Sequence, residues 1–527
     1  MSVDRDTTEP PRVTAHFPGL QPPADEPFAQ VPGLAEAVLE PRPAPEPNVD
    51  GTAGADEPDE EDGTAEPAHP IVDRRTVGER VGEVAGLTTF RGNPTRTYYG
   101  RGPVPHEPER VWRYPDEPMC TVETSGSGET TTWCGTGWTG QPLVWERPDG
   151  VTEVVFGAYD GAVHFVDADS GDATRPPFHT DHMVKGTESL DPDGYPLLYT
   201  GSRDGKLRVV ALDRDEPTEL WALEAHPEGV WNNDWDGSPA IVDDILYVGG
   251  EDSWFYAVEL HRSVDADGRV TVDPEVIFEK PGFTDELFDK IGDRNVSIEN
   301  SVALFEGRVY FANSGGRVVG LDVTDLRDER TAPVVFDYWT GDDTDATITI
   351  DEEGMLYVAI ELQRFLPRAE EVGQLVKLDP YTDGDPLQWS VDVPPASSGD
   401  DGGIWATPAL HGDVLYVPTH PGELLGVDTA TGEVFHREHI GWHEWGSPAV
   451  VDDTLVVPLC QEGGLRGYDV SDPRDPVEEW TVTLDTGACI ESTPAVWDGR
   501  IYVGTRDGYF YAFGRAGSEF AGSGSEG

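Results

Sequence analysis

The stretch Arg500–Gly514 reads RIYVGTRDGYFYAFG, and Leu197–Asp213 reads LLYTGSRDGKLRVVALD. Each is an apolar strand, a tight turn carrying Asp-Gly, and a second apolar strand. Asp and Gly tolerate the positive φ that a two-residue hairpin demands, so each stretch is two antiparallel strands. A small residue, often followed by Pro, opens a further apolar strand ahead of them. The whole unit recurs at residues 140–167, 188–213, 237–259, 300–322, 346–379, 406–428, 446–469 and 492–514. Several copies close on an aspartate, among them Asp167, Asp213, Asp379, Asp428 and Asp469. Their period of roughly 40–50 residues is that of a repeat architecture.

A fourth strand follows most copies and carries an aromatic residue: Trp221, Phe278, Phe336, Trp389 and Trp480. Four short strands at this period are the blades of a β-propeller. The eighth copy has no fourth strand after it. Glu109-Arg110-Val111-Trp112-Arg113-Tyr114 reads like the others and precedes the first copy, so it is expected to complete blade eight and close the ring. The expected fold is all-β, an eight-bladed propeller of four-stranded antiparallel blades. The propeller is placed at residues 86–514, a disordered acidic Pro-rich tail at 1–85 and a flexible tail at 515–527.

The chain has 101 acidic and 36 basic residues and a formal net charge of −65. That surface repels nucleic acid, whose binding needs Lys and Arg to displace counterions. It suits cations or a high-salt solvent, and lysine is confined to Lys185, Lys206, Lys280, Lys290 and Lys377. No apolar run approaches the ~18 residues of a transmembrane helix. The start, MSVDRDTTEPPRV, shows no signal peptide. The four cysteines fall into two sequence-local pairs, Cys120–Cys134 and Cys460–Cys489, expected as disulfides, with four buried thiols as the alternative. Disulfides favour an extracytoplasmic protein, and the visible N-terminus leaves the cytoplasm as the alternative. A monomer is expected.

The lead-in TFRGNPTRTYYGRGPVP (89–105) and the segment ERVWRYP resemble the opening of PQQ-like propellers of the quinoprotein alcohol dehydrogenase-like superfamily. GVDTATGEVFH (426–436) resembles that family's tryptophan-docking motif, with Asp428, Thr431 and Gly432 kept and His436 in place of its Trp. VDADSGDATRP keeps Asp167 and Gly171. The resemblance implies a fold shared by dehydrogenases and by an outer-membrane assembly scaffold, and fold alone does not choose between them. The enzymes stack PQQ between a Trp and a disulfide of adjacent cysteines, hold Ca²⁺ with Glu, Asn and Asp, and use a further Asp as base. This chain has no adjacent cysteine pair and no C-x-x-C-H haem site, which weighs against a conventional quinohaemoprotein.

Aligned on the small residue that starts each inner strand, the position two earlier reads Thr139, about Gly186, Asp236, Glu299, Asp345, Trp405, Trp445 and Glu491. In a propeller these side chains would ring the channel mouth. Asp236, Glu299 and Asp345 are the candidate Ca²⁺ ligands, because hard cations take oxygen donors. Asn300 and Lys185 are neighbouring candidates for ligand binding, and Lys185 is the nearest cation for a PQQ carboxylate. Trp405 and Trp445 beside carboxylates would suit a sugar or an organic cation. His443 and Glu444 could form an acid–base pair, although a lone His in a surface loop is more often without such a role. The loops DADSGD (167–172) and VDADG (264–268) lack the EF-hand spacing and read as turns. The favoured function is a non-enzymatic ligand-binding or scaffold propeller whose partner is a protein, small molecule or glycan. One alternative is a dehydrogenase dependent on PQQ and Ca²⁺ that acts on an alcohol or sugar. The other is a glycan-binding propeller.

Overall fold

The computed structural model describes residues 72–124, 130–137 and 140–515. Eight antiparallel sheets follow one another along the chain. Blade 1 is Leu143–Glu146, Thr152–Ala158, Ala162–Asp167 and the short Phe178–His179. The innermost strands of blades 2 to 8 are Ser189–Leu190, Ala240–Val242, Ala303–Phe305, Thr349–Ile350, Ala409–His411, Ala449–Val451 and Ala495–Trp497. All eight lie where the repeat places them. Blade 8 takes its outermost strand from the other end of the propeller, with Glu109–Tyr114 pairing antiparallel with Phe510–Gly514.

The aromatic of each fourth strand has a structural job. Trp221, Phe278, Phe336, Trp389, Trp480 and Trp112 sit opposite Val209, Ala257, Gly320, Lys377, Gly467 and Ala512. A β-bulge lies beside each pair and adds local twist. Trp389 lies over Gly432, where a Cβ would stand 2.8 Å from its ring, and donates its indole N–H to Thr429 O at 2.9 Å. Trp112 does the same over Gly171 and Ala168 O. The docking motif therefore ties blade 6 to blade 5 and blade 1 to blade 8. Asp428 Oδ1 holds the turn by accepting from Ala430 N and Thr431 N. The segments 167–172 and 264–268 are turns.

Residues 85–101 fill the axis of the ring and bond to every blade. Gly86–Leu87 pairs with blade 1, and Gly100–Arg101 pairs parallel with blade 8. Thr88 O, Pro94 O and Thr95 O accept from Leu190 N, Leu304 N and Ile350 N of blades 2, 4 and 5. Phe90 N donates to Ser238 Oγ of blade 3. Arg91 and Arg96 are 0% exposed. Arg91 donates to Thr407 O and Pro408 O of blade 6 and to Pro448 O of blade 7. Arg96 donates twice to Val302 O of blade 4, at 2.8 and 2.6 Å, and to Phe90 O. Burial lowers both guanidiniums, Arg96 to about 9. Residues 72–85, placed with the tail by sequence, pack on the same side. Val72 is buried among apolar side chains of blades 3 and 4, and Val72 O accepts from Glu306 N.

The opposite face carries the connections into the innermost strands and the turns after the second strands. Both disulfides lie there. Cys120–Cys134 crosses the hairpin of Cys120–Thr124 and Thr130–Cys134, and Cys460–Cys489 joins the turn of blade 7 to the connection into blade 8. No helix among the described residues is long and apolar enough to cross a membrane.

Replacing Arg96 with methionine would leave the carbonyls of Val302, Phe90 and Ser238 without their donor in a dry interior. Arg96→Met is expected to cost about 3 kcal/mol or more in urea unfolding. Arg96→Lys should recover only part of that, since an ammonium cannot span the same carbonyls. Wild-type stability in Arg96→Met would contradict the role given to this side chain.

Candidate functional site

A belt of hydroxyls sets the register of the open face. Ser238 N donates to Ser301 Oγ, Ser301 N to Thr347 Oγ1, Thr347 N to Thr407 Oγ1, and Thr407 N to Ser447 Oγ, all at 2.9–3.0 Å. Gln141 N donates to Thr187 Oγ1 in the same manner, at 2.7 Å. Thr187 is thus the blade 2 member of the belt. The residue two before it is Lys185, so Lys185 and not Gly186 occupies the ring position of blade 2. Thr139 lies outside the described residues. The ring in blades 2 to 8 is Lys185, Asp236, Glu299, Asp345, Trp405, Trp445 and Glu491.

The acids gather into two groups. In blade 3, Lys185 Nζ lies 2.9 Å from Asp234 Oδ2, 2.8 Å from Asp236 Oδ2 and 2.9 Å from Glu251 Oε1. Burial alone would lower this ammonium, but the three carboxylates hold it well above the usual lysine value. Burial raises Asp236 strongly and Asp234 to about 7, Glu251 adding to both. In blade 5, carboxylate oxygens of Asp343, Asp345 and Glu361 lie within 4.8 Å of one another, all buried. Burial pushes Asp343 to about 6 against the pull of Arg364, and pushes Asp345 and Glu361 well up, with the charge of Asp343 adding to both. Glu299 stands between the groups. It accepts from Ser297 Oγ at 2.8 Å, Ser297 Oγ meets Ser314 Oγ at 2.7 Å, and Ser314 Oγ donates to Asp345 Oδ1 at 2.9 Å. Asp236, Glu299 and Asp345 therefore do not converge on one point: the first belongs with Lys185, the last with Asp343 and Glu361. Asn300 is engaged by backbone, its amide donating to Ala312 O and Thr344 O.

Trp405 and Trp445 lie in parallel contact, with centroids 5.0 Å apart and 6° between planes, and His420 stacks on Trp405 at 4.9 Å. Trp445 is 6% exposed, while Trp442 beside it is 37% exposed. His443 Nδ1 is 2.9 Å from His420 Nε2, whereas Glu444 Oε2 accepts from Cys460 N. His443 and Glu444 thus have different partners. Glu491 faces Arg506 at 3.6 Å and Cys489 Sγ at 3.7 Å.

Sequence reasoning missed Glu251 and Glu361. Both stand two residues beyond the end of the second strand of their blade, and an alignment of that turn would have paired them. Asp234 and Asp343 lie two residues before the ring positions Asp236 and Asp345.

No family model matches the chain, and no curated protein matches it. Among solved structures it is similar to BamB from Moraxella catarrhalis, at 14% identity and a TM-score of 0.49, over 78% of this chain and 98% of that one. It is also similar to quinohemoprotein alcohol dehydrogenase from Comamonas testosteroni, at 14% identity and a TM-score of 0.49, over 84% of this chain and 82% of that one.

The residues on this face do not fit PQQ, a flat quinone bearing carboxylates. Lys185 is shared by three carboxylates, Arg203 faces Glu123 and Asp234, and Arg364 faces Asp293, Asp342 and Asp343. The contact between Trp405 and Trp445 leaves no gap for a ring between them. The carboxylate groups instead fit a hard cation, which takes oxygen ligands.

Burial holds the Glu444 carboxyl up at about 8. In the unfolded chain it loses its proton near the ordinary value, roughly pH 4–5. Between those values the fold binds more protons, so stability is present at low pH and is lost as pH rises through about 8. Glu444→Gln removes this term. The variant should match wild type in thermal unfolding near about pH 5 and exceed it near about pH 9. No gain at the higher pH would contradict the assignment.

Proposed function

We propose that the protein is a non-enzymatic ligand-binding propeller of the extracytoplasmic space and that its central face receives a cation. The observation that carries this reading is the charge balance at the axis. Asp234, Asp236, Glu251, Glu299, Asp343, Asp345 and Glu361 are all buried there, and Lys185 is the one lysine among them. A buried carboxylate is costly unless it is protonated or paired, so such a set asks for positive charge from outside. Lys185, Arg203, Arg364 and Arg506 on this face are already matched to carboxylates, which disfavours an anionic quinone. The two disulfides support a location outside the reducing cytosol. Trp405 and Trp445 spend a face on each other, which leaves the glycan reading without a free platform at these positions.

The reading is tested by adding PQQ to purified protein with Ca²⁺ present, at high and low salt, while absorbance and thermal unfolding are followed. Ca²⁺ alone is expected to raise the unfolding temperature saturably, because a ligand of the folded state stabilises it by mass action. PQQ is expected to add nothing. Saturable PQQ binding, with dye reduction in the presence of an alcohol or sugar, would overturn the non-enzymatic reading.

A further inference from the structure

Blades 3 and 5 carry the same device. In each, two aspartates two residues apart lead into the innermost strand, Asp234 and Asp236 in one, Asp343 and Asp345 in the other. In each, a glutamate two residues beyond the second strand folds back beside them. The backbone match is close: Glu251 N donates to Asp234 O at 2.9 Å, and Glu361 N donates to Asp343 O at 2.9 Å. The ring residue of the preceding blade then decides what each trio receives. For blade 3 it is Lys185, whose ammonium sits among the three carboxylates. For blade 5 it is Glu299, a fourth carboxylate, joined to Asp345 through Ser297 and Ser314.

The blade 5 trio also has donor atoms to spare. Glu361 is 1% exposed and Asp343 3% exposed, yet Glu361 Oε1 and Asp343 Oδ1 accept no hydrogen bond. Their other oxygens are used, by Gln363 Nε2 and by Arg364 at 3.6 Å. Unsatisfied buried oxygens within a cluster of acids are costly. In blade 3 the corresponding oxygens Asp234 Oδ2 and Asp236 Oδ2 face the Lys185 ammonium at 2.9 and 2.8 Å, a positive charge in the middle of the trio.

We propose that Asp343, Asp345 and Glu361, with Glu299 beside them, bind a calcium ion in the place that Lys185 fills in blade 3. Oxygen donors alone select a hard cation over a transition metal. Burial favours Ca²⁺ over Mg²⁺, because Mg²⁺ gives up its waters reluctantly and demands octahedral geometry. The proposal rests on the cation-binding reading above and assigns it to one trio.

The test is calorimetric titration of chelator-treated full-length protein with CaCl2 and with MgCl2, alongside thermal unfolding. Wild type should bind one Ca²⁺ saturably and Mg²⁺ more weakly. Glu361→Gln and Asp343→Asn should each lose affinity by about tenfold or more. Glu361→Gln should be at least as stable as wild type in chelator, because it removes a buried carboxyl whose charged neighbours Asp343, Glu299 and Asp342 are all acids; a merely structural role predicts the opposite. Glu444→Gln, outside both acid groups, should leave Ca²⁺ affinity unchanged. If wild type binds no cation, both the proposal and the reading it rests on fail. If Ca²⁺ binds but Glu361→Gln and Asp343→Asn keep full affinity, the trio is wrong and the broader reading stands.

Discussion

Eight sheets meet at the axis by their innermost strands, and an innermost strand is a sheet edge. Its outward N–H and C=O groups face the axis without a ladder partner, and buried backbone groups must be satisfied. Residues 85–101 meet that demand on one side, bonding to all eight blades, and the Ser/Thr belt meets it on the other. Arg91 and Arg96 carry two charges into this interior with carbonyls as acceptors, and among the described residues neither has a carboxylate partner. In a chain with 101 acids that choice is informative. Carbonyls are what the strand edges offer, and a guanidinium can span several at once.

With one end of the axis filled, chemistry is confined to the other. There the acids are ordered by blade rather than scattered. One trio holds the Lys185 ammonium among its carboxylates, and its counterpart in blade 5 is met by another acid. The difference traces to a single ring position, lysine in blade 2 against glutamate in blade 4. Arg203, Arg364 and Arg506 on this face each face at least one carboxylate. The arrangement explains how a strongly acidic protein can bury many acids and still leave one site in need of a cation.

The architecture was legible because its signals are local. Tight turns, strand-length apolar runs and an aromatic in most fourth strands recur along the chain, and the unmatched strand at Glu109–Tyr114 declared the closure. The cysteine pairs were legible by proximity in sequence. The ring was legible in six blades but slipped by one in blade 2, where the belt residue Thr187 is followed by Glu188 rather than by the Pro seen after Ser238. Glu361 was hidden because the blade 5 turn is an insertion, with Pro367–Val372 helical and Glu361–Leu362 paired to Gly402–Gly403. The roles of Arg91 and Arg96 left no sequence trace at all, since their partners are backbone carbonyls, some of them more than three hundred residues away.

The measurement that bears most directly on this account is long-wavelength anomalous diffraction from crystals grown with Ca²⁺. The account places one anomalous peak within about 2.3–2.6 Å of carboxylate oxygens of Asp343 and Glu361, and none beside Lys185. A blade 5 trio without a peak, or a peak held by other residues, would contradict it.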